Sequence, residues 1–428
     1  MAKGETRMRW RRSRRLVAAL GLLVWGVPQA RAAAITSPTI ERLRRQIAAG
    51  DTAAEAEFVR TLRTPLVEAA ESGDRRLVTF VWSADPQGPK TERVHLQGGR
   101  PAADFDKPMR PLAGTSLWYL SELLPSDARF QYWITVNPPT ERSDRIEDMF
   151  DGPAPQRDPL NPLELYGESY VVLPDAVPFP YPENLAAPKG SVVERSIHSP
   201  TLGATIELSV YLPALSSAAV EKPWLAIVFD GGFLDMQRVL DDRIATGRLP
   251  AMVVVGVHNR EGMRPKDLGY SAPFARFVAK ELLPWARAQL GVSRERDQTI
   301  LGGVSRGAGM VAFTGLEYPE AFSRLLCLAT AIENEPGDFP PTRFWLRGDD
   351  GWIVERYVQA EKKPLRFFLG AARFDTSLWT DRLVNNRRFR DTLRAKGYPV
   401  DYLESAAGHD QLFFQLGFVE GLQALTRP

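Results

Sequence analysis

Apolar and polar positions change rhythm along the 428-residue chain. Between Thr39 and about Ser72 the apolar residues recur at helical spacing: Ile40, Leu43 and Ile47, then Ala54, Phe58, Leu62 and Leu66. Asp51 or Thr52 stands where a second helix would be capped. From 75 to 137 the rhythm shortens. Runs at 77–82, 93–96, 116–120 and 129–136 read as strands, separated by turn residues, and predict a small immunoglobulin-like β-sandwich. Its aromatics Trp82, Trp118, Tyr119, Tyr132 and Trp133 read as core or inter-domain packing. Residues 153–190 hold nine prolines, a density that reads as a stiff, extended linker.

Beyond residue 190 strands and helices alternate. Runs at 192–198 and 205–212 predict an antiparallel entry hairpin. Runs at 224–229, 252–257, 298–304, 365–369 and 400–403 predict core strands, and 272–290, 309–318, 380–396 and 411–425 predict helices. Such alternation implies an α/β fold with a doubly wound sheet over 191–428. The plan is therefore a helical segment at 33–74, a sandwich at 75–152, the linker at 153–190 and the α/β domain at 191–428.

The first 32 residues stand apart. They pair a basic stretch, Arg9 to Arg15, with an apolar run at 16–27 and an Ala30-Arg31-Ala32 cleavage pattern. This predicts a signal peptide, loosely of twin-arginine type, and a periplasmic or secreted location. No later run is long and apolar enough to predict a membrane span. The segment carries eight basic residues and one acidic, so the remaining 46 basic and 51 acidic residues leave the rest at −5, not the overall +2. That balance gives no general case for nucleic-acid binding. The single cysteine, Cys327, excludes an internal disulfide and a Cys-based metal site, and its apolar neighbours predict a buried, inert thiol.

Candidate chemistry centres on Gly303-Val304-Ser305-Arg306-Gly307. A strand precedes this G-x-S-x-G and a helix follows, the context of a nucleophile elbow. A serine hydroxyl needs a base. Of the four histidines only His409 follows Ser305, in a turn after a predicted strand, as the Ser–acid–His order requires. His258 ends an earlier strand and reads as a pocket residue. The acid belongs after the strand at 365–369, where Asp375 is the first carboxylate and Asp381 the second. Asp381 stands at a helix start and fits an N-cap, so Asp375 is favoured. The N–H groups of Arg306 and of Gly232, in Asp230-Gly231-Gly232, are the candidate oxyanion donors. Phosphate-binding glycine motifs are absent.

These pieces resemble the enterochelin (ferric enterobactin) esterase family of α/β-hydrolases. In the first domain Gly114-Thr115-Ser116-Leu117-Trp118-Tyr119, Arg129-Phe130-Gln131-Tyr132 and Asp158-Pro159-Leu160-Asn161-Pro162 carry the likeness. In the second it rests on Asp230-Gly231, Arg264-x-x-Asp267-Leu268, Glu281-Leu282-Leu283-Pro284, the serine elbow, Asn386-Arg387-Arg388-Phe389 and Gly408-His409-Asp410. The resemblance implies an immunoglobulin-like domain before an α/β-hydrolase domain. It also implies hydrolysis of carboxylic esters, notably catecholate siderophore trilactones, by a serine mechanism with no cofactor or catalytic metal. It carries the nucleophile onto Ser305, the base onto His409, the acid onto Asp375 and the oxyanion donors onto Gly232 and Arg306. Asp230, Gly231, His258 and Arg264 fall on the substrate side, Arg264 suiting an anionic iron–catecholate ligand. The chain departs from the family pattern at Ala407, at Gln411-Leu412-Phe413 and at 329–334, positions that bear on the substrate. The competing readings are a feruloyl or acetyl carbohydrate esterase, an acyltransferase, and a non-catalytic ligand- or cell-wall-binding protein.

Overall fold

A computed structural model describes residues 37–85, 87–98, 107–139, 153–214, 221–230, 234–333, 335–337, 351–376 and 381–427. The expected signal peptide lies outside the described residues. Helix α1 (Pro38–Ala48) opens with Ser37, whose hydroxyl accepts from the Thr39 and Ile40 N–H groups. It is followed by α2 (Ala54–Thr61). Ile40 and Leu43 are buried against Val81, Leu112, Leu117 and Tyr119 of the sandwich, so the helical pair lids one of its faces. The helical pattern does not reach Leu66 as the spacing suggests. Pro65 offers no N–H to continue a helix, and Leu66 instead starts β1 (Leu66–Ala69).

The sandwich continues with β2 (Arg75–Ser83), β3 (Val94–Gly98), β4 (Lys107–Pro108), β5 (Arg110–Pro111), β6 (Leu117–Pro125) and β7 (Arg129–Val136). Strands β8 (Glu164–Leu165) and β9 (Glu168–Val172) complete it. Its sheets run β1-β2-β6-β5 and β4-β3-β7-β9-β8. The proline-rich stretch expected to be a plain linker thus supplies two strands, because the five residues of β9 lie in a proline-free window and pair antiparallel with β7. Tyr132 is fully buried between the sheets, and its hydroxyl donates to Asp158 Oδ2 at 2.7 Å.

The α/β unit is built from β10 (Ser191–Ser199), β11 (Ala204–Leu212), β12 (Trp224–Phe229), α3 (Gln237–Ala245), β13 (Met252–Val257), α4 (Arg264–Asp267) and α5 (Ala272–Phe277). It continues through α6 (Leu283–Gln289), β14 (Thr299–Val304), α7 (Arg306–Glu317), β15 (Arg324–Leu328), α8 (Trp352–Gln359), β16 (Arg366–Ala372), α9 (Arg382–Ala395), β17 (Val400–Ser405) and α10 (Gln411–Thr426). A widened π turn, Val278–Leu282, joins α5 to α6 and carries the helix past Pro284, which cannot donate. The eight-stranded sheet runs β10-β11-β13-β12-β14-β15-β16-β17. Strand β11 pairs antiparallel with both β10 and β13, and the remaining pairs are parallel. This is an α/β-hydrolase domain behind a β-sandwich. Every residue of β13 and β14 is buried, as a sheet covered on both faces requires. The chain reverses its direction of winding between β12 and β14, the place where open α/β sheets bind ligands. Among the described residues no helix is long and apolar enough to cross a membrane.

Candidate active site

Ser305 follows β14 at φ 52°, ψ −119°, a backbone conformation that a residue with a Cβ rarely adopts. The surrounding backbone over-determines it. Its N–H donates to the Leu328 carbonyl at 2.8 Å, and its own carbonyl accepts from Ala331 N at 3.0 Å. The flanking glycines are there because strand and helix nearly touch. A Cβ on Gly303 would lie 2.7 Å from the Gly307 carbonyl carbon, and one on Gly307 would lie 3.1 Å from Asp230 Oδ2. Arg306 opens α7, so its N–H lies at a helix N-terminus, where developing negative charge is stabilised.

Asp375 follows β16 and His409 follows β17. His409 Nδ1 and Asp375 Oδ2 are 2.7 Å apart, and both residues are buried. The carboxylate can only accept, so Nδ1 carries the proton and Nε2 is the basic nitrogen. Asp381 instead caps α9, accepting from Val384 N at 3.0 Å.

A third charged group completes the pair. Arg382 places Nη1 3.5 Å from Asp375 Oδ1 and 3.4 Å from His409 Nδ1. Its Nε and Nη2 donate to Glu333 Oε1 at 2.9 and 2.8 Å. Burial pushes the Asp375 carboxyl up, but His409 and Arg382 outweigh it and hold the group below its ordinary value. Burial likewise opposes the Arg382 charge, and Glu333 with Asp375 outweighs that, so the guanidinium is held more firmly than usual. Two carboxylates, Glu333 and Asp375, face this one guanidinium. Arg382 escapes a reading of the sequence, although a cation in the first turn of a helix opposes the macrodipole and is a usable signal. Asn386 holds the neighbouring loop, accepting from Thr330 N and donating to Thr330 O at 3.0 and 3.1 Å.

The substrate-side residues are placed differently from one another. Asp230, at φ 70°, accepts from Arg264 Nε and Nη2 at 2.7 and 2.9 Å and from Asn259 Nδ2 at 2.7 Å. The fork of Arg264 that an anionic ligand would use is therefore engaged by Asp230, although 40% of the Arg264 side chain stays exposed. His258 bonds Ser209 Oγ through Nε2 at 2.6 Å and lies 3.9 Å from Glu194, on the edge hairpin and not with the Asp375–His409 pair. Gly231 and Gly232 lie outside the described residues. Among the described residues no His, Cys, Asp and Glu grouping could hold a metal ion. Cys327 is fully buried, and burial pushes its thiol up, away from the reactive thiolate.

Ser305 on its strained elbow and the His409–Asp375 pair follow β14, β16 and β17, three parallel strands of one sheet, and so lie at the same edge of it. A family model described as "Putative esterase" matches residues 199–425. The iron(III) enterobactin esterase of Dickeya dadantii is 27% identical over 410 residues, covering 86% of this chain and 91% of its own. That of Escherichia coli K12 is 26% identical, covering 82% and 91%. Among solved structures, the ferric enterobactin esterase of Salmonella typhimurium superposes with a TM-score of 0.69 at 23% identity, covering 87% of this chain and 98% of its own. The Shigella flexneri enterobactin esterase, solved in the presence of enterobactin, gives 0.67 at 23% identity, covering 86% and 97%. These structural likenesses extend over sandwich and α/β domain together.

Proposed function

The chain belongs to the esterase family and is a carboxylic ester hydrolase, and from that premise we propose that Ser305, His409 and Asp375 carry the reaction on a catecholate siderophore trilactone. Ser305 Oγ attacks the ester carbonyl while His409 Nε2 takes its proton. The negative charge that develops on the carbonyl oxygen is met by the N–H groups of Arg306 and Gly232. The imidazolium returns its proton to the leaving alcohol, and water, deprotonated by the same nitrogen, resolves the acyl-enzyme. Asp375 fixes the tautomer and balances the imidazolium. Arg382 keeps Asp375 ionised and in place, acting through it and not on the substrate.

The observation that carries this reading is the 2.7 Å contact between His409 Nδ1 and Asp375 Oδ2, two residues drawn from separate strand ends. The trilactone as substrate is supported by relatives named for iron(III) enterobactin that align along 91% of their own length. Arg264 stands on the substrate side in this reading, with 40% of its side chain left exposed beside Asp230. Residues 1–32 support export, which places the reaction in the periplasm or outside the cell.

The test is product analysis after incubation of wild type and Ser305→Ala with ferric and iron-free catecholate trilactones, feruloyl esters and acetylated sugars. Ring opening of the trilactone by the wild type alone is the expected result. Turnover of only the feruloyl or acetyl esters would overturn the substrate and keep the nucleophile. Undiminished turnover by Ser305→Ala would overturn the nucleophile itself.

A further inference from the structure

Strand β7 of the sandwich pairs with β3 on one side and with β9 on the other. Among the described residues the pairing with β3 stops at Gly98 and Tyr132, so the N–H groups of Arg129 and Gln131 on that side find no strand partner in β3. They reach the α/β domain instead. Arg129 N donates to the Ala406 carbonyl at 2.8 Å, and Gln131 N donates to Asp410 Oδ2 at 3.0 Å. The other Asp410 oxygen accepts from Phe413 N at 3.0 Å and caps α10. The Gln131 side chain returns the contact: Oε1 accepts from Gln411 N at 3.0 Å while Nε2 donates to the Leu165 carbonyl at 2.9 Å.

The neighbouring turn is gripped by the same stretch. Phe374, beside Asp375, packs edge-on against Phe130 with centroids 5.4 Å apart, and Arg373 pairs with Asp127. Ala406 is 1% exposed and belongs to the sandwich core, with Phe374 packed against it. The two turns are also tied to each other, Phe374 N donating to the Ala407 carbonyl at 3.0 Å. Each of these contacts that crosses between the sandwich and the α/β domain falls within three residues of His409 or of Asp375, and Gln131 and Asp410 are 1% and 5% exposed.

We propose that β7 is a positioning element for ester hydrolysis, in which Gln131 and Asp410 hold the turn bearing His409 in register with Asp375. The inference rests on the reading of Ser305, His409 and Asp375 as nucleophile, base and acid. The physical reason is that the β17–α10 turn has a carbonyl at Ala406, an N–H at Gln411 and a buried carboxylate at Asp410 whose partners its own domain does not fully supply. The sandwich supplies them, and so fixes where the imidazole stands.

The test compares Gln131→Leu, Gln131→Glu and Asp410→Asn with wild type on a small chromogenic ester, too small to touch the sandwich. Rates are normalised to the sites titrated by a fluorophosphonate, so a loss of folded protein does not count as a loss of turnover. Leucine removes the acceptor for Gln411 N and glutamate restores it. Asparagine keeps one acceptor for the α10 cap and turns a donor toward Gln131 N. We expect kcat per titrated site to fall about 10- to 100-fold in Gln131→Leu and Asp410→Asn with KM within about two-fold, as a displaced catalytic group produces. Gln131→Glu sets its second oxygen against the Leu165 carbonyl, so it should recover only part of the loss. If Asp410→Asn does not fold, the leucine and glutamate pair decides. Wild-type kcat in Gln131→Leu would overturn the proposal. Ser305→Ala separates the two claims: an inactive Ser305→Ala beside a fully active Gln131→Leu sinks only the role of β7, whereas an active Ser305→Ala sinks the triad beneath it.

Discussion

Ser305 is held by backbone. Its strained φ is locked by hydrogen bonds to Leu328 and Ala331, and Gly303 and Gly307 let strand and helix close to contact. His409, at the same edge of the same sheet, is held by side chains and charge: Asp375, then Arg382 and Glu333, and, through the adjoining Asp410, by a strand 279 residues distant. In the proposed reading the nucleophile is thus a local device and the base an assembled one. The difference follows from what each must do. The serine need only present an oxygen, whereas the imidazole must gain and lose a charge inside the protein, which requires compensation from several elements.

The contrast can be broken by changing one side at a time. The largest effect is expected at the assembled side. Arg382→Met leaves Glu333 and Asp375 buried without their shared cation, which should cost about 3–5 kcal/mol of unfolding free energy in a denaturant titration. It should also lower kcat, because a protonated Asp375 no longer orients His409. A variant as stable and as active as wild type would show that the ionic arrangement is not needed.

Next comes Asp410. Burial lifts its carboxyl from 3.8 to about 6, against the opposing N–H groups of Phe413, Gln131 and Gly408. The native state therefore holds this proton more tightly than the unfolded chain. The stability it contributes is present below about pH 4 and is lost as pH rises through about 6, a change of about 3 kcal/mol. Asp410→Asn lacks that loss, so its deficit relative to wild type should shrink across this window when unfolding is followed from pH 4 to 7. A constant deficit would mean that Asp410 titrates normally.

The smallest of the three effects is expected at the local side. Gly303→Ala drives a Cβ into the Gly307 backbone and should cost about 1–3 kcal/mol. The rate of serine modification should fall while the Asp375–His409 pair stays intact. Unchanged stability and reactivity would mean that the elbow is less closely packed than the geometry implies.

The same contrast explains what could be read from the chain. The elbow lies within five residues, and the buried strands at 224–229 and 252–257 are continuous apolar runs, so each is visible locally. Strand order then points from Ser305 to Asp375 and His409. Arg382 hides beside the better-known cap residue Asp381, and Glu333 sits in a loop with no periodicity. The bond from Gln131 to Asp410 has no local signature: both lie in stretches that carry the family likeness, but nothing in either stretch says that the two meet. Strands β8 and β9 are masked by the prolines around them, and Leu66 continues a helical spacing that Pro65 has already ended. His258 sits at a strand end as expected, yet its hydrogen bonds run to the edge hairpin, a matter of side-chain direction that spacing does not encode.

The central claim is that Ser305 is a nucleophile activated by His409. Its most direct test is covalent labelling of the folded protein with a fluorophosphonate, mapped by peptide mass spectrometry in wild type and in His409→Ala. The account predicts a single adduct on Ser305 in the wild type, forming at least about 100-fold more slowly once the base is removed. An unlabelled Ser305, or one labelled equally fast without His409, would contradict it.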